Sequence, residues 1–353
     1  MTSTHYATEL QQLPETYEAA LAIDVHRLKS AISGTSESSI LAVGSGGSFT
    51  VASLMCNLHE AYTGRVSRPS TPLEIICNPT LAAASPVFLI SAEGKNPDII
   101  EALQRARLHS SRSLHVLTNR AESPLMARAA RLTDITTHVF ELAEKDGYLA
   151  TNSLLLDAVL VARAYGELDQ EAKQIPSSIA GLRLLDESVD DWVKNAQLFM
   201  EDATARGGVI VIFSPLLRPV AADFESKLSE SALLYCQLAD LRSFAHGRHL
   251  WLADRPEDCA ILVLIEPSVR PLWDEMRKFI PTSMPTLEMP FGGAKPRDLL
   301  AGLVAQMHLI SVAAQRSGKD PGRPLVQAGP NDDNAGLFQR IEPILPLRQP
   351  ELA

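Results

Sequence analysis

Short apolar runs that alternate with helical patterns are the feature that most constrains the fold of this chain. In the first half, the runs that are predicted to be strands are 40–43, 73–77, 87–91, 114–118 and 136–140. The second half repeats the plan, with strands predicted at 208–213, 260–265 and 286–289. Strands that alternate with helices form parallel sheets covered by helices on both faces, so we expect an α/β protein.

Segments with near-helical spacing of apolar residues fill the intervals between these strands. They are predicted over the first 30 residues and at 51–60, 98–108, 153–165, 221–235 and 299–315. The length of 353 residues suits two domains of about 150 residues each. Because the polar stretch 166–178 separates the halves, we predict an N-terminal helix in 1–32, a first domain in 33–170, a second domain in 180–325 and a tail in 326–353.

The charge balance, the apolar stretches and the cysteines restrict the function. The net charge is −10, so the basic face that nucleic-acid binding needs is not expected. No run of about 18 apolar residues predicts a membrane span, and the N-terminus lacks the pattern of a signal peptide. The four cysteines are scattered, which is typical of reduced thiols. We therefore expect a cytoplasmic protein that binds neither nucleic acid nor membranes.

Two strand-to-helix loops that are rich in small and polar residues are the candidate ligand-binding elements. The first loop holds Gly44, Ser45, Gly46, Gly47 and Ser48, and the second holds Ser91, Glu93, Gly94, Lys95 and Asn96. Both follow strands of a parallel sheet, so both belong at its carboxyl edge, where α/β proteins bind ligands. Glycines let backbone N–H groups approach a ligand, and a helix N-terminus favours negative charge. The alternative for the first loop alone is a tight turn that needs small residues.

The spacing of these residues argues against cofactors and metals. Phe49 stands where a dinucleotide fingerprint needs its last glycine, and the G-K-[ST] of a P-loop does not follow. His246 and His249 are three residues apart, but no third ligand accompanies them at a metal-binding spacing. The sequence therefore predicts neither a cofactor nor a metal.

The order strand–GSGGS–helix followed by strand–SAEGKN–helix resembles the sugar isomerase (SIS) family over about residues 10–325. The chain resembles the isomerase half of glucosamine-6-phosphate synthase, and its second half resembles the second SIS domain of that synthase and of its relatives, the fructosamine and fructoselysine deglycases. The resemblance implies two tandem SIS-type domains, each with three α/β/α layers and a mostly parallel sheet. It also implies a homodimer, in which a neighbouring subunit can supply His246.

The same resemblance assigns roles to one helix and the segment after it. Lys227 and Glu230 stand three residues apart, and His246 follows Glu230 by 16 residues, as in the family. The resemblance makes Glu230 the base that moves a proton between sugar carbons and His246 the group that assists ring opening, with Lys227 beside them. The segment Gly147–Ser153 resembles the family's sugar-lining stretch G-V-A-S-T-K, and the resemblance implies that Leu149, Ala150 and Thr151 contact the ligand.

The residue types themselves suit this chemistry. The i, i+3 spacing puts Lys227 and Glu230 on one helix face. A carboxyl on a largely buried helix has a raised pKa, which suits a general base near neutral pH. Arg248 has the fork that holds a carboxylate or phosphate with two hydrogen bonds. The alternatives are an exposed ion pair between Lys227 and Glu230 and a surface salt bridge for Arg248.

Two departures from the family concern the phosphate loop. Glu93 stands where the family has a serine, and Asn96 stands where it has a threonine. A carboxylate about 4 Å from a phosphate charge costs roughly 4 kcal/mol at an effective dielectric of 20. The family's C-terminal lysine is also missing after Arg323.

Two functions therefore remain open. The first is a metal-independent isomerase or deglycase that acts on a sugar, a sugar phosphate or an amino-sugar adduct by enediol-type proton transfer. The second is a non-catalytic SIS-type protein that binds or senses a carbohydrate derivative.

Overall fold

The computed structural model describes residues 5–110, 112–166, 168 and 175–323, so the predicted tail 326–353 lies outside the described residues. The α-helices are α1 His5–Ala22, α2 His26–Ser33, α3 Gly47–Thr63, α4 Pro72–Cys77, α5 Leu81–Ala84, α6 Pro97–His109, α7 Pro124–Ala129, α8 Asn152–Gly166, α9 Val189–Arg206, α10 Arg218–Glu230, α11 Leu241–Ser243, α12 Leu250–Asp254, α13 Arg270–Arg277 and α14 Pro296–Ser317. The strands are β1 Leu41–Val43, β2 Arg68–Ser70, β3 Val87–Ile90, β4 Leu114–Thr118, β5 Ile135–Val139, β6 Arg183–Leu184, β7 Glu187–Ser188, β8 Gly208–Phe213, β9 Tyr235–Asp240, β10 Ala260–Ile265 and β11 Thr286–Pro290.

The chain divides into two compact units. The inserted unit is Gly34–Glu144, and the flanking unit joins the residues up to Ser33 with Lys145–Gly322. The predicted boundary at 166–178 thus falls within the flanking unit, and α8, which was expected in the first domain, groups with the second sheet. The reason is packing, since α8 is buried on nearly all sides and contacts α1, α2 and α14. The tandem-domain arrangement stays a prediction.

The inserted unit is built on a five-stranded parallel sheet with the order β2-β1-β3-β4-β5. Strands β1, β3 and β4 are buried along their whole length, as expected for a sheet with helices on both faces. Their apolar side chains form one core with α6, which contributes Ile99, Ala102, Leu103 and Ala106. The predicted α/β class with parallel sheets is confirmed here.

The prediction of a strand at 73–77 is wrong, because this segment forms helix α4. Thr71 caps the helix by accepting a hydrogen bond from the Glu74 N–H at 3.4 Å, and Glu74 Oε2 accepts one from the Thr71 N–H at 2.8 Å. Pro72 then occupies the first helical position, where its missing N–H has no cost. The strand of this region is β2, which pairs with β1 although it contains no apolar run.

The flanking unit contains a four-stranded parallel sheet with the order β11-β10-β8-β9 and a short antiparallel pair, β6-β7. Strands β8 and β10 are fully buried, as predicted. Strand β9 was missed, because the helix predicted over 221–235 ends at Glu230. Ala232 turns the chain with a φ of 49°, and Tyr235, which is 90% exposed, begins the edge strand.

Helix α14 is the central helix of the flanking unit and packs against α8, α9 and α10. Its length and composition would allow it to cross a membrane, but 78% of its most apolar window is buried within the protein, as in the core helix of a soluble protein. Gly302 permits this packing, because a Cβ there would lie 2.9 Å from both Phe291 Cε1 and Val220 Cγ1.

Candidate ligand-binding site

The loop that joins β1 to α3 is shaped by its glycines. Gly44 donates a backbone hydrogen bond to Ser70 O at 3.1 Å, which ties the loop to the end of β2. Gly46 has φ 54° and ψ −132°, a conformation that side chains oppose. The N–H groups of Ser48 and Phe49 are engaged by the carbonyls of Ser45 and Gly46. The loop therefore turns tightly into the helix, as its composition predicts.

The serine hydroxyls of this loop are available to a ligand. Ser45 is exposed and Ser48 is half-buried. Within the described part of the inserted unit, no hydrogen bond engages either hydroxyl. Each hydroxyl can donate and accept a hydrogen bond, and both lie next to the N-terminus of α3. They can therefore bind a polar ligand.

The second loop, between β3 and α6, is closed by its own hydrogen bonds. The Gly94 N–H donates to Ser91 Oγ at 3.2 Å, and the Asp98 N–H donates to Asn96 Oδ1 at 2.8 Å. Pro97 occupies the first position of α6 and has no N–H to offer. Gly94 is required, because its φ is 59° and a Cβ there would lie 2.5 Å from Ser123 Oγ.

Glu93 is paired in a way that the sequence did not indicate. Arg120 Nε donates to Glu93 Oε1 at 3.0 Å, and Lys95 Nζ lies 3.5 Å from Glu93 Oε2. Arg120 also donates to the carbonyl of Leu142. Arg120 follows the end of β4, the neighbour of β3, so its position could have been found only by pairing the strands in the correct order. Glu93 is therefore an ion-paired part of the loop wall.

The two loops lie at the same edge of the five-stranded sheet. Strands β1 and β3 are adjacent and parallel, with Leu41 opposite Val87 and Val43 opposite Leu89. Their carboxyl ends therefore lead into neighbouring loops, as the sequence predicted. This edge is the candidate ligand-binding site of the inserted unit.

The predicted sugar-lining stretch belongs to the flanking unit and is largely enclosed. Leu149 and Thr151 are buried, and Ala150 is half-buried. Thr151 Oγ1 lies 2.8 Å from Glu9 Oε2 and 2.9 Å from Asp146 Oδ1. The Thr151 hydroxyl is thus bonded within the protein, and so is the Thr151 N–H, which donates to Asp146 Oδ2 at 3.0 Å.

The structure does not bring Lys227 and Glu230 together. Lys227 is 3% exposed, and its ammonium contacts Asp223 Oδ2 at 2.7 Å, one turn earlier in α10. Gln306 of α14 donates to the same carboxylate oxygen. Glu230 is exposed at the last position of α10, where Ser226 Oγ donates to its Oε1 at 2.5 Å. The expected partial burial of Glu230 is therefore wrong, because this end of the helix faces solvent.

His246 lies on an irregular helical segment, Phe244–Arg248, and is exposed. It lines an open cavity of about 580 Å³ with Arg242, Ser243, Gly247 and Arg248. Arg248 is anchored by donating to Leu238 O at 2.7 Å. Two arginines and a histidine line this cavity, and no carboxylate lines it among the residues that the structure describes, so it favours an anionic group.

Asp240 fixes the start of this segment. Its carboxylate accepts hydrogen bonds from the Arg242 and Ser243 N–H groups, both at 3.0 Å, and from the Ser243 hydroxyl. The Ser243 hydroxyl and these backbone hydrogen bonds lower the pKa of Asp240. Within residues 175–323, no hydrogen bond or ion pair joins His246 to Glu230 or Lys227.

Solved structures with the same fold include several that are described as carbohydrate enzymes and one that is described as a sugar-binding protein. Tagatose-6-phosphate ketose/aldose isomerase from Escherichia coli has a TM-score of 0.69 at 17% identity, over 94% of this chain and 97% of its own. The C-terminal domain of glucosamine-fructose-6-phosphate aminotransferase from Francisella tularensis has a TM-score of 0.65 at 16% identity, over 89% of this chain and 96% of its own. Glucosamine-6-phosphate deaminase from Thermotoga maritima has a TM-score of 0.66 at 16% identity, over 91% of this chain and 97% of its own.

These likenesses confirm the resemblance to sugar isomerases at the level of the fold. No family model matches the sequence, and no curated protein matches it. The fold is therefore established by the structural neighbours, and the activity has to be argued from the residues of the site.

The close approach of Gly44 to α3 gives a first test. A Cβ at this position would lie 2.4 Å from Ser48 O and 2.9 Å from Phe49 N, both backbone atoms. We expect Gly44→Ala to reduce the free energy of unfolding by ~1–3 kcal/mol, the usual cost of overpacking. Ser45→Ala, at an exposed neighbour, should change it by less than ~0.5 kcal/mol. Urea unfolding measures the stability of both variants. Equal stability of the two would contradict the close approach of Gly44 to the backbone of α3.

The buried pair of Lys227 and Asp223 gives a second test. Lys227→Met leaves the Asp223 carboxylate buried without its cation, so we expect a loss of ~3–5 kcal/mol in the free energy of unfolding. Asp223→Asn combined with Lys227→Met should recover part of that loss. The exposed pair of Lys194 and Asp191 is the control, since Lys194→Met should cost less than ~1 kcal/mol. A Lys227 variant as stable as the control would show that Lys227 is not structural.

Proposed function

We propose that this chain binds a sugar derivative at the carboxyl edge of its five-stranded sheet and acts on it as a metal-independent isomerase or deglycase. The observation that carries the proposal is the pair of neighbouring loops after β1 and β3, with the unengaged hydroxyls of Ser45 and Ser48 between strand and helix. The fold shared with phosphosugar isomerases and deaminases supports it. Ligands of parallel α/β sheets bind at this edge.

The loop after β3 favours a ligand that carries no phosphate there. Glu93 places a carboxylate in the loop, where the family has a serine, and Arg120 and Lys95 are its ion-pair partners. Pro97 has no N–H, and Asn96 Oδ1 engages the Asp98 N–H, so two positions at the start of α6 offer no backbone donor to a phosphate. A neutral hydroxyl group or an amine meets none of this repulsion. The proposed substrates are therefore unphosphorylated sugars or amino-sugar adducts.

In this proposal Glu230 is the base and His246 assists ring opening. Both side chains are exposed within one chain, which fits a site that a second subunit completes. The cavity beside His246, with Arg242 and Arg248, offers cations for a developing negative charge. The chain then works as a cytoplasmic homodimer of tandem SIS-type domains.

Lys227 has a different role in the proposal. Its ammonium is directed to Asp223 in the core, so it does not touch the substrate but fixes α10 to α14 through the shared contact with Gln306. The exposure of Glu230 and the internal use of Lys227 favour the second candidate function, a carbohydrate-binding or sensing protein without turnover.

A ligand panel tests the substrate class. The probes are fructose, fructose 6-phosphate, glucosamine and fructosyl-lysine, each measured by the thermal shift that it produces. We expect a shift with one or more unphosphorylated probes and none with fructose 6-phosphate. Glu93→Ser removes the carboxylate and leaves Arg120 and Lys95, so it should raise the affinity for fructose 6-phosphate by about tenfold or more, ~1.4 kcal/mol.

Glu93→Gln is the matched control, since it removes the charge but adds no serine hydroxyl. If charge decides the preference, both variants gain affinity for the phosphosugar. Tight binding of fructose 6-phosphate by the unaltered protein would show that Glu93 does not exclude phosphate.

Solvent exchange distinguishes enzyme from sensor. An enediol mechanism removes the proton from the carbon next to the carbonyl, and in D₂O a deuteron takes its place. We expect the proton NMR signal of that carbon to fall for each probe that binds. Glu230→Gln should abolish the exchange while the probe still binds, because the amide cannot accept the proton. Binding without any exchange in the unaltered protein would establish the sensing function instead.

A further inference from the structure

A buried carboxyl from the first helix contacts the predicted sugar-lining stretch. Glu9 of α1 is only 4% exposed. Its Oε1 accepts the Gly147 N–H at 2.6 Å, and its Oε2 lies 2.8 Å from Thr151 Oγ1. His5 Nδ1 lies 2.7 Å from Oε1, but this ring nitrogen is not aligned for a hydrogen bond. Glu9 was not among the residues that the sequence singled out.

A second carboxyl, Asp146, meets the same hydroxyl from the other side. It precedes α8 by six residues, and its carboxylate accepts the N–H groups of Thr151, Asn152 and Ser153 at 3.0, 2.9 and 2.9 Å. The Ser153 hydroxyl donates to it as well, at 2.5 Å. A carboxyl that accepts three backbone N–H groups at a helix N-terminus is stabilised as the anion.

The hydroxyl of Thr151 cannot satisfy both carboxylates. Its oxygen lies 2.8 Å from Glu9 Oε2 and 2.9 Å from Asp146 Oδ1, both hydrogen-bond distances. A hydroxyl has one proton and so donates to one acceptor. The other contact requires a proton on a carboxyl, and Asp146, surrounded by donors, does not need one.

We propose that Glu9 is a neutral carboxylic acid that donates a hydrogen bond to Thr151 Oγ1, and that the Thr151 hydroxyl donates in turn to Asp146. This series of hydrogen bonds positions residues 147–153 for the ligand. The protonation part stands on the contacts alone, and the ligand part rests on the proposed function together with the predicted sugar-lining role of Leu149, Ala150 and Thr151. Glu9 is then a positioning residue, since it acts through Gly147 and Thr151.

The packing around the segment supports the positioning role. A Cβ on Gly147 would lie 2.8 Å from both Glu9 Oε1 and Gly322 O, so the backbone at this point is pressed against its neighbours. Asn152 Nδ2 donates to Glu9 O at 3.1 Å, and Thr16 Oγ1 donates to Asn152 Oδ1 at 2.6 Å. Helix α1 therefore holds the segment at its beginning, through Gly147, and at the start of α8.

The electrostatic environment agrees with a neutral Glu9. The pKa of Glu9 is raised, chiefly by burial and also by the charge of Asp146. The hydrogen bonds from Thr151 and Gly147 and the nearby His5 lower it by less. Two further titratable groups face this region, Tyr6 and Asp320. Burial raises the pKa of Tyr6, and the charges of Asp223, Glu9 and Asp146 raise it further. The Asp320 carboxylate accepts the His5 and Tyr6 N–H groups.

The sign of the resulting pH dependence follows from linkage. The folded protein holds the Glu9 proton more tightly than the unfolded chain does. The stabilisation is complete below the ordinary pKa of a glutamate and is lost as the pH rises through the raised pKa of the folded state. Glu9→Gln cannot ionise, so its stability should lack this decline.

The test compares the full-length protein with Glu9→Gln and Glu9→Ala. The amide of glutamine donates to Thr151 and accepts from Gly147 as the acid does, whereas alanine does neither. Near neutral pH, we expect the melting temperature of the glutamine variant to equal that of the unaltered protein and the melting temperature of the alanine variant to be lower. The difference infrared spectrum of the unaltered protein minus Glu9→Gln at neutral pH should contain the carbonyl band of a protonated carboxylic acid.

Absence of that band, or a glutamine variant as unstable as the alanine variant, overturns the protonation. Such a result would mean an ionised Glu9, paired with a charged His5. The difference spectrum between the unaltered protein and Glu9→Gln decides this point even if Glu9→Ala does not fold.

Ligand binding tests the positioning. With a probe from the panel that binds, fructose for example, Glu9→Gln should bind as the unaltered protein does, with a flatter pH profile. Glu9→Ala should bind about tenfold or more weakly, as displaced contact residues do. If Glu9→Ala folds and binds equally well, the positioning role is wrong. If no sugar probe binds any variant, the proposed function and the positioning role fail together, while the infrared band still decides the protonation.

Discussion

The structure depends on the requirement that parallel strands buried on both faces pair all their backbone groups with one another. Strands β1, β3 and β4 of the inserted unit and β8 and β10 of the flanking unit are buried along their length. Unpaired backbone groups in such a place are costly, so each apolar run has to lie beside another in the same direction. Apart from the buried His115 of β4, the polar side chains of these strands lie at the strand ends. The loops after β1 and β3 become neighbours because these two strands pair, whatever the sequence of the loops is.

The sequence could predict the elements that this constraint controls most strongly. The runs 208–213 and 260–265 match β8 and β10, because burial on both faces leaves an uninterrupted apolar pattern. The errors lie where burial is incomplete or local hydrogen bonds decide. Strand β9 at the sheet edge buries only Ala239 and has no apolar run to mark it. The run 73–77 is as apolar as a strand, but Thr71, Pro72 and Glu74 form a helix start whose hydrogen bonds outweigh the composition.

The same limit applies to the candidate site. Motif spacing found the two loops and the residues of the i, i+3 pattern, but it could not find their partners. Arg120 reaches Glu93 across 27 positions, and Thr151 meets Glu9 across 142, so only the folded chain shows these contacts. For Lys227, spacing alone leaves two candidate partners on the same helix. Burial selects Asp223, because a lone buried ammonium requires a neighbouring carboxylate, whereas Glu230 reaches solvent.

The helix starts of the inserted unit differ in a way that bears on where a ligand is held. Helices α4, α6 and α7 follow β2, β3 and β4, and each begins with a side chain that accepts its own backbone N–H: Thr71, Asn96 and Ser123. Helix α3 follows β1 and begins after Gly46, which has no side chain to do so. Capping side chains compete with a ligand for the same donors. At the start of α3 the carbonyls of Ser45 and Gly46 engage the Ser48 and Phe49 N–H groups, so this loop offers a ligand the hydroxyls of Ser45 and Ser48.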